Sequence, residues 1–407
     1  MSLTRRALLG STAAAAALPP RRSRAQAANT IRIGVLNDQS GPYRDTGGTT
    51  SVICTRQAVE EFGSHGFTVD VITADHQNKP DLGASIARQW IDTDGVDMII
   101  DVPTSSVALA VNTVCREKNR TYINVGAATA DLTGKACAPN NVHWTYDTYM
   151  LARSTGGTMV KAGGDSWYFI TADYVFGQQL QRDTSTLVTK AGGKVMGASP
   201  YPFPGTTDFS SYLLQAQASG AKVLGLCNAG ADTVNSIKQA HEFSVNKKMK
   251  LAAMLMFITD VNALGLETAQ GLNLTESFYW DFNDRSRAFT KRVVPKTPKN
   301  WPNMIHAGCY SGTLHFLKAV AALGAAKAKE GGSTVVAQMK AMPTDDDAYG
   351  KLTIRADGRL MAPAYLFEVK SPAESKGPWD YYKLVETTSA EDAAVPAGET
   401  GCSLVHA

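Results

Sequence analysis

From Ile31 onward, short apolar runs alternate with longer helical ones, and no other feature of the chain constrains its fold as much. The runs "IRIGVLND", "FTVDVITAD", "VDMIIDV" and "TYINVG" are separated by helical stretches at about 51–62, 82–93 and 106–117. A strand followed by a crossover helix and another strand builds a parallel sheet with helices on both faces. Such sheets take ligands at the carboxyl ends of their strands. The pattern then starts again with "SWYFITAD", "GKVMGASPY", "AKVLGLCNAG", "KLAAMLMFI" and "GLNLTESFYW", with helices expected over 177–191, 209–219 and 233–243. Two successive α/β halves of similar length predict two lobes.

Beyond Trp280 the sequence predicts a long helix over 305–327 and a strand pair in "GKLTIRADGRLMAPAYLFEV" turning at Asp357-Gly358. Late elements of both kinds imply that the chain crosses between the lobes more than once. The expected division is residues 28–146 and 280–350 for lobe 1, 147–279 and 351–385 for lobe 2, and 386–407 for a tail. A hinged, two-lobed α/β protein places its site in the cleft.

The first 27 residues read differently. "MSLTRRALLGSTAAAAALPPRRSRAQA" has a basic start, an apolar stretch from Ala7 to Leu18 and a small-x-small site at Ala25-Gln26-Ala27, the pattern of a cleaved export signal. Its apolar stretch is short of the ~20 residues a spanning helix needs. Thr4-Arg5-Arg6-Ala7-Leu8-Leu9 looks like a twin-arginine signal, and no Cys follows the cleavage site to carry a lipid. The expected product is free in the periplasm. That compartment permits disulfides among the six cysteines. Cys227 and Cys309 lie in apolar segments and Cys54 and Cys115 in helical ones, whereas Cys137 sits in a loop and Cys402 in the tail. Cys137–Cys402 is the preferred pair.

The net charge is +3, from 40 basic and 37 acidic residues, with no long basic run in the mature part. This balance speaks against nucleic acid and anionic membrane as partners. The first strand–helix turn lacks GxGxxG, and no GxxxxGK[ST] occurs. The seven histidines form no HxxxH, and the cysteines form no CxxC, so neither a metal nor a cofactor is expected. "GCYSG" places its Ser one position late for a hydrolase elbow. The expectation is a binder of a small molecule and not an enzyme.

The strand ends supply candidate binding residues. In lobe 1 these are the first loop with Tyr43 and Thr46, "DVPTSS" with Thr104 and Ser105, and "NVGAATADLT" with Ala127, Ala128 and Thr129. In the last two, hydroxyls and small residues stand where helices begin, and free N–H groups with the helix dipole there favour an anion. The alternative reading of Thr104, Ser105 and Thr129 is ordinary helix capping. In lobe 2 the candidates are Tyr174, Phe176, Asn228, Phe257, Asp260 and Trp280, with Tyr279 and Asp281 beside them. Aromatic walls suit an apolar ligand body, although the same residues also serve as core.

"IRIGVLNDQSGPYRDTGG", "DHQNKPD", "PTSSVALAV", "GAATADLT", "ITADYVFG", "TTDFSSYLLQAQASGAKV" and "TAQGL", in this order, resemble the periplasmic substrate-binding proteins of ABC transporters for branched-chain amino acids and related carboxylates. The resemblance runs over nearly the whole mature chain. It implies two Rossmann-like lobes joined by three crossovers, a monomer, and an inner-membrane ABC permease as partner. It further implies a ligand carboxylate held by Thr104 with Ser105 and by Ala127 with Thr129, an aromatic wall at Phe176 and Tyr174, and a contact at Asn228. Amino-acid binders of the family carry an acidic residue for the ammonium where this chain reads "MLMFITD". The departure points instead to a carboxylate with an apolar or aromatic body. An amino acid or amide met by Asp260 or Asp281, a ligand-sensing domain, and a secreted enzyme are the alternatives.

Overall fold

The computed structural model describes residues 29–297 and 300–405; the stretch read as an export signal lies outside the described residues. Lobe 1 is built on five parallel strands in the order β2-β1-β3-β4-β5: β1 (Thr30–Asn37), β2 (Thr68–Asp75), β3 (Met98–Asp101), β4 (Thr121–Asn124) and β5 (Asn141–His143). Helices α1 (Gly48–Phe62), α2 (Pro80–Gln89) and α3 (Ser105–Glu117) connect the first four. β3 and β4 are buried at every position, as expected for strands covered on both faces.

Lobe 2 repeats the plan. Strands β6 (Ser166–Ala172), β7 (Lys194–Tyr201), β8 (Val223–Cys227) and β9 (Lys250–Ala253) form a parallel sheet in the order β7-β6-β8-β9. They are linked by α4 (Val175–Lys190), α5 (Ser210–Ala218) and α6 (Ala231–Glu242), and the short helix α7 (Ile258–Leu264) follows β9. β10 (Asn273–Glu276) then pairs with two late strands, β11 (Ala364–Val369) and β12 (Tyr382–Thr388), in an antiparallel sheet. Between them the chain returns to lobe 1 as α8 (Met304–Leu323). Asn303 Nδ2 donates to Thr46 O at 2.9 Å, and a ring nitrogen of His306 lies 3.1 Å from Gly47 O, which fixes the start of α8 on the first lobe.

The late segments follow the sequence expectation in part. Asp357 and Gly358 make the expected turn, with the Gly358 N–H donating to Arg355 O, and the chain on either side pairs as a short antiparallel hairpin: Arg355 N donates to Arg359 O, Met361 N to Thr353 O, and Ile354 bridges Leu360. The hairpin also docks on β5: His143 N donates to Gly358 O and Leu360 N to His143 O. The strand "AYLFEV" (β11) pairs on one side with β10 and on the other with β12. The long helix stops at Leu323, where Gly324 has φ +81°.

The chain passes between the two parallel sheets after β5, returns to the first lobe between β10 and α8, and leaves it again ahead of β11. Two buried ionic features sit at these crossings. Arg359 and Asp147, both fully buried, approach to 3.6 Å, and Arg359 also donates to Thr145 O. Glu276, also fully buried, spans both lobes: Oε1 accepts from Ile258 N–H of α7 at 3.2 Å, and Oε2 from Met304 N–H of α8 at 3.1 Å. Tyr382 Oη donates to the same carboxylate at 3.4 Å. Burial, the dominant effect, pushes the Glu276 carboxyl up to about 8. After β12 the tail leaves lobe 2, and Cys402 is joined to Cys137 of lobe 1 by a disulfide, with Cα atoms 5.8 Å apart. The other four cysteines are free and buried.

Candidate functional site

The loops at the strand ends of the two lobes meet around a narrow cavity of about 10 Å³, about the room one water occupies. Lobe 1 contributes Tyr43, Thr46, Pro103, Gly126, Ala128 and Ile305, lobe 2 contributes Tyr174, Phe176, Ala229, Leu255 and Phe257, and Tyr146 comes from the first crossing. No carboxylate, ammonium, guanidinium or imidazole stands among these residues.

Local backbone geometry sets the lobe 1 wall. β3 ends in two residues with positive φ, Asp101 (+86°) and Val102 (+54°), which turn the chain into Pro103 and the start of α3. The buried Asp101 carboxylate accepts from Asn37 Nδ2 at 3.0 Å, and burial pushes it up to about 6. Gly126 fits against this turn because it has no side chain: a Cβ there would lie 2.6 Å from Pro103 Cα. Tyr146 Oη donates to Gly126 O at 2.7 Å and its ring meets Phe257 edge-on at 5.9 Å.

The lobes touch across the cavity. The Tyr43 and Tyr174 hydroxyls are 2.6 Å apart, one on each lobe. Phe203, in the loop after β7, stacks on both rings, with centroids at 5.4 Å from Tyr43 and 4.4 Å from Tyr174. Burial raises both phenols above their ordinary range, so at neutral pH they remain O–H donors. Ala231 N donates to Pro42 O at 3.1 Å. Gly230 allows this approach, since a Cβ would lie 2.5 Å from the same oxygen. On the flank, Gln179 Nε2 of α4 donates to Asp131 Oδ2 of lobe 1 at 2.9 Å.

Of the thirteen candidate binding residues, Tyr43, Thr46, Ala128, Tyr174, Phe176 and Phe257 line this cavity. The hydroxyl of Thr104 is directed elsewhere: it donates to Asn78 Oδ1 and makes no cap. Asn78 in turn donates to Asp38, whose carboxylate accepts the N–H groups of Gly41 and Tyr43. Thr104 thus braces the loop that carries Tyr43. Ser105 is buried, and its hydroxyl has no partner among the described residues. Thr129 caps the turn 130–133, accepting from Asp131 N, and Ala127 is tied through its carbonyl to Asn124.

Three lobe 2 candidates, like those four of lobe 1, lie outside the cavity lining. Asn228 is spent on Thr233 and Ser236. The Asp260 carboxylate folds back onto Phe257 N–H at 3.0 Å, capping α7, and burial pushes it up to about 7. Trp280 packs against Trp301 and donates to Trp379 O. In the other direction, sequence reasoning missed Tyr146, Phe203 and Ile305. Tyr146 lies in a crossing and Phe203 in a Pro-rich loop, neither of which has a periodicity to mark it.

Two α/β lobes whose strand-end loops meet on a neutral, aromatic cavity have the architecture of a solute-binding protein. The model of the periplasmic binding protein family matches residues 30–378, and the chain belongs to that family. It is similar to a periplasmic binding protein from Burkholderia mallei, at 47% identity over 93% of this chain and 99% of the other, with a TM-score of 0.89. A branched chain amino acid ABC transporter periplasmic ligand-binding protein from Burkholderia xenovorans LB400 is 36% identical, covering 92% and 100%, with a TM-score of 0.80. An ABC transporter solute binding protein from R. palustris in complex with benzoate shares the fold, at 20% identity over 92% and 100% of the chains and a TM-score of 0.80. The protein is a periplasmic ligand-binding component of an ABC transporter, which makes a permease and a small solute its partners. No helix among the described residues is long and apolar enough to cross a membrane.

Proposed function

We propose that the protein captures a small organic acid with a flat, apolar body, such as a benzoate- or phenylpropenoate-type carboxylate, and delivers it to the permease without chemical change. The observation that carries this reading is the cavity lining: three phenols, two phenylalanines, Leu255, Ile305 and smaller residues, with no charged side chain. A carboxylate at the mouth of α3 meets the unpaired N–H groups and positive dipole end of a helix. The orphan hydroxyl of Ser105 stands in the first turn of that helix. Tyr43, Tyr146 and Tyr174 add neutral donors, and Phe176 and Phe257 suit the body of the ligand. Thr104 and Thr129 act as braces for these loops.

An α-ammonium has no such partner. Asp260, the acidic residue nearest to the expected place, is capped into α7, and an uncompensated buried cation is costly. The likeness to a branched chain amino acid-binding relative at 36% identity supports the competing reading.

Thermal-shift measurements with benzoate, 4-hydroxybenzoate, cinnamate, leucine and valine separate the two. A ligand at about 100 times its Kd adds about 2.7 kcal/mol to stability. Stabilisation by the aromatic acids is expected; stabilisation by leucine or valine and by none of the acids overturns the proposal.

A further inference from the structure

We propose that the C-terminal tail is a covalent strap between the lobes, and that it restrains how far and how readily the cleft opens. The inference holds whatever the solute is. β12 is paired into the antiparallel sheet of lobe 2 up to Thr388. Fourteen residues later the chain is bonded through Cys402 to Cys137 in lobe 1. Three crossings are made of backbone alone; this fourth connection is closed by sulfur.

Its anchor in lobe 1 stands beside the cleft. Ala136 N and Gly134 N both donate to Asp131 O, and the Asp131 carboxylate accepts the bond from Gln179 across the cleft. Asn112 of α3 donates to Ala136 O at 2.8 Å, which fixes the Cys137 loop to the helix that opens at the cavity. A hinge lets the lobes rotate about the crossings, where chain segments change length little, whereas a connection away from that axis must lengthen.

The strap has little free length in its present form. Ser389 caps a helical turn at Ala390–Ala393, and a second turn spans Ala397–Glu399. A helical turn rises about 1.5–2 Å per residue, while extended chain covers about 3.3–3.6 Å. Lengthening the strap therefore means unwinding these turns. Ala393 and Ala394 are buried, and Asp392 lies 3.9 Å from Arg153 of the hinge-side helical segment, so lengthening also uncovers packed residues. Opening is opposed first by this local structure and then by the covalent limit.

Hydrogen exchange on the intact protein tests the strap without any added solute. The Ala231 N–H, bonded to Pro42 O across the cleft, reports lobe separation, and amides of β1 and β8 report global unfolding. Two variants are compared with the parent: Cys137→Ser/Cys402→Ser, and an insertion of eight Gly/Ser residues between Val395 and Pro396 that leaves the disulfide in place. Exchange at Ala231 faster by about tenfold in both variants, with β1 and β8 unchanged in the insertion variant, is the expected result. Unchanged exchange at Ala231 in the insertion variant overturns the proposal, whether or not the double substitution folds, because the bond then acts only by stabilising the fold.

Discussion

Glu276 offers a prediction whose sign and size both follow from its surroundings. Its carboxyl has a folded-state value of about 8 against an ordinary value near 4.5. The cause is burial, only partly offset by the N–H groups of Met304 and Ile258 and by Tyr382, with nearby Asp260 adding to the rise. Between pH 4.5 and 8 the folded protein holds a proton that the unfolded chain releases, so stability falls as pH rises through that window. Its contribution is fully present below about pH 4.5 and lost by about pH 8. At about 1.4 kcal/mol per pH unit, the interval amounts to at most about 5 kcal/mol. Glu276→Gln removes the titration. It also sets an amide N–H against one of two backbone N–H donors, a loss of about 1–3 kcal/mol. The parent is therefore expected to be the more stable protein at pH 5, and the variant to equal or overtake it by pH 8.5. Urea denaturation of both proteins at pH 5, 6.5 and 8.5 measures the difference directly, and the remaining ionisable groups common to both largely cancel. A difference constant to within about 1 kcal/mol over that range would refute the assignment of the buried proton to Glu276.

Further outcomes concern the cavity. Gly126→Ala drives a Cβ to within 2.6 Å of Pro103 Cα and is expected to weaken aromatic-acid binding at least about tenfold in calorimetric titration, or about 1.4 kcal/mol, with the circular dichroism unchanged. Ser105→Ala should lower affinity with an unchanged Tm, since a hydrogen bond to a charged group contributes about 1.5–3 kcal/mol and the Ser105 hydroxyl has no partner among the described residues. Thr104→Val, by contrast, should lower Tm by breaking the link to Asn78 and the Tyr43 loop. Tyr174→Phe removes the hydroxyl pair across the cleft, about 1 kcal/mol, and is expected to enlarge the radius of gyration measured by X-ray scattering.

The lobes were legible because buried parallel strands write themselves as continuous apolar runs such as "VLGLC", a signal that needs no knowledge of distant partners. The turn at Asp357-Gly358 was legible for the same local reason, and it closes a short hairpin through Arg355 N to Arg359 O and Met361 N to Thr353 O. Its docking on β5 was not legible, because the partner, His143, lies more than two hundred residues earlier. β12 was missed because Leu384 and Val385 are exposed and leave no clean alternation. In the site, residue type located the right loops, but side-chain direction depends on long-range partners. Asn78 draws the Thr104 hydroxyl toward Asp38, and Trp301 and Trp379 draw Trp280 away from the cavity. Asp260 looked available only while its own helix start was unknown.

The contact between Tyr43, Phe203 and Tyr174 makes the receptor a competitor of its own cargo. The space between the lobes as they stand is about one water's room, so on the proposed reading an organic acid enters only as the contact between Tyr43 and Tyr174 parts. Discrimination is then subtractive. On that reading, a solute too small or too polar to match what those three rings give one another is expected to lose to them, with no repulsive group needed to reject it.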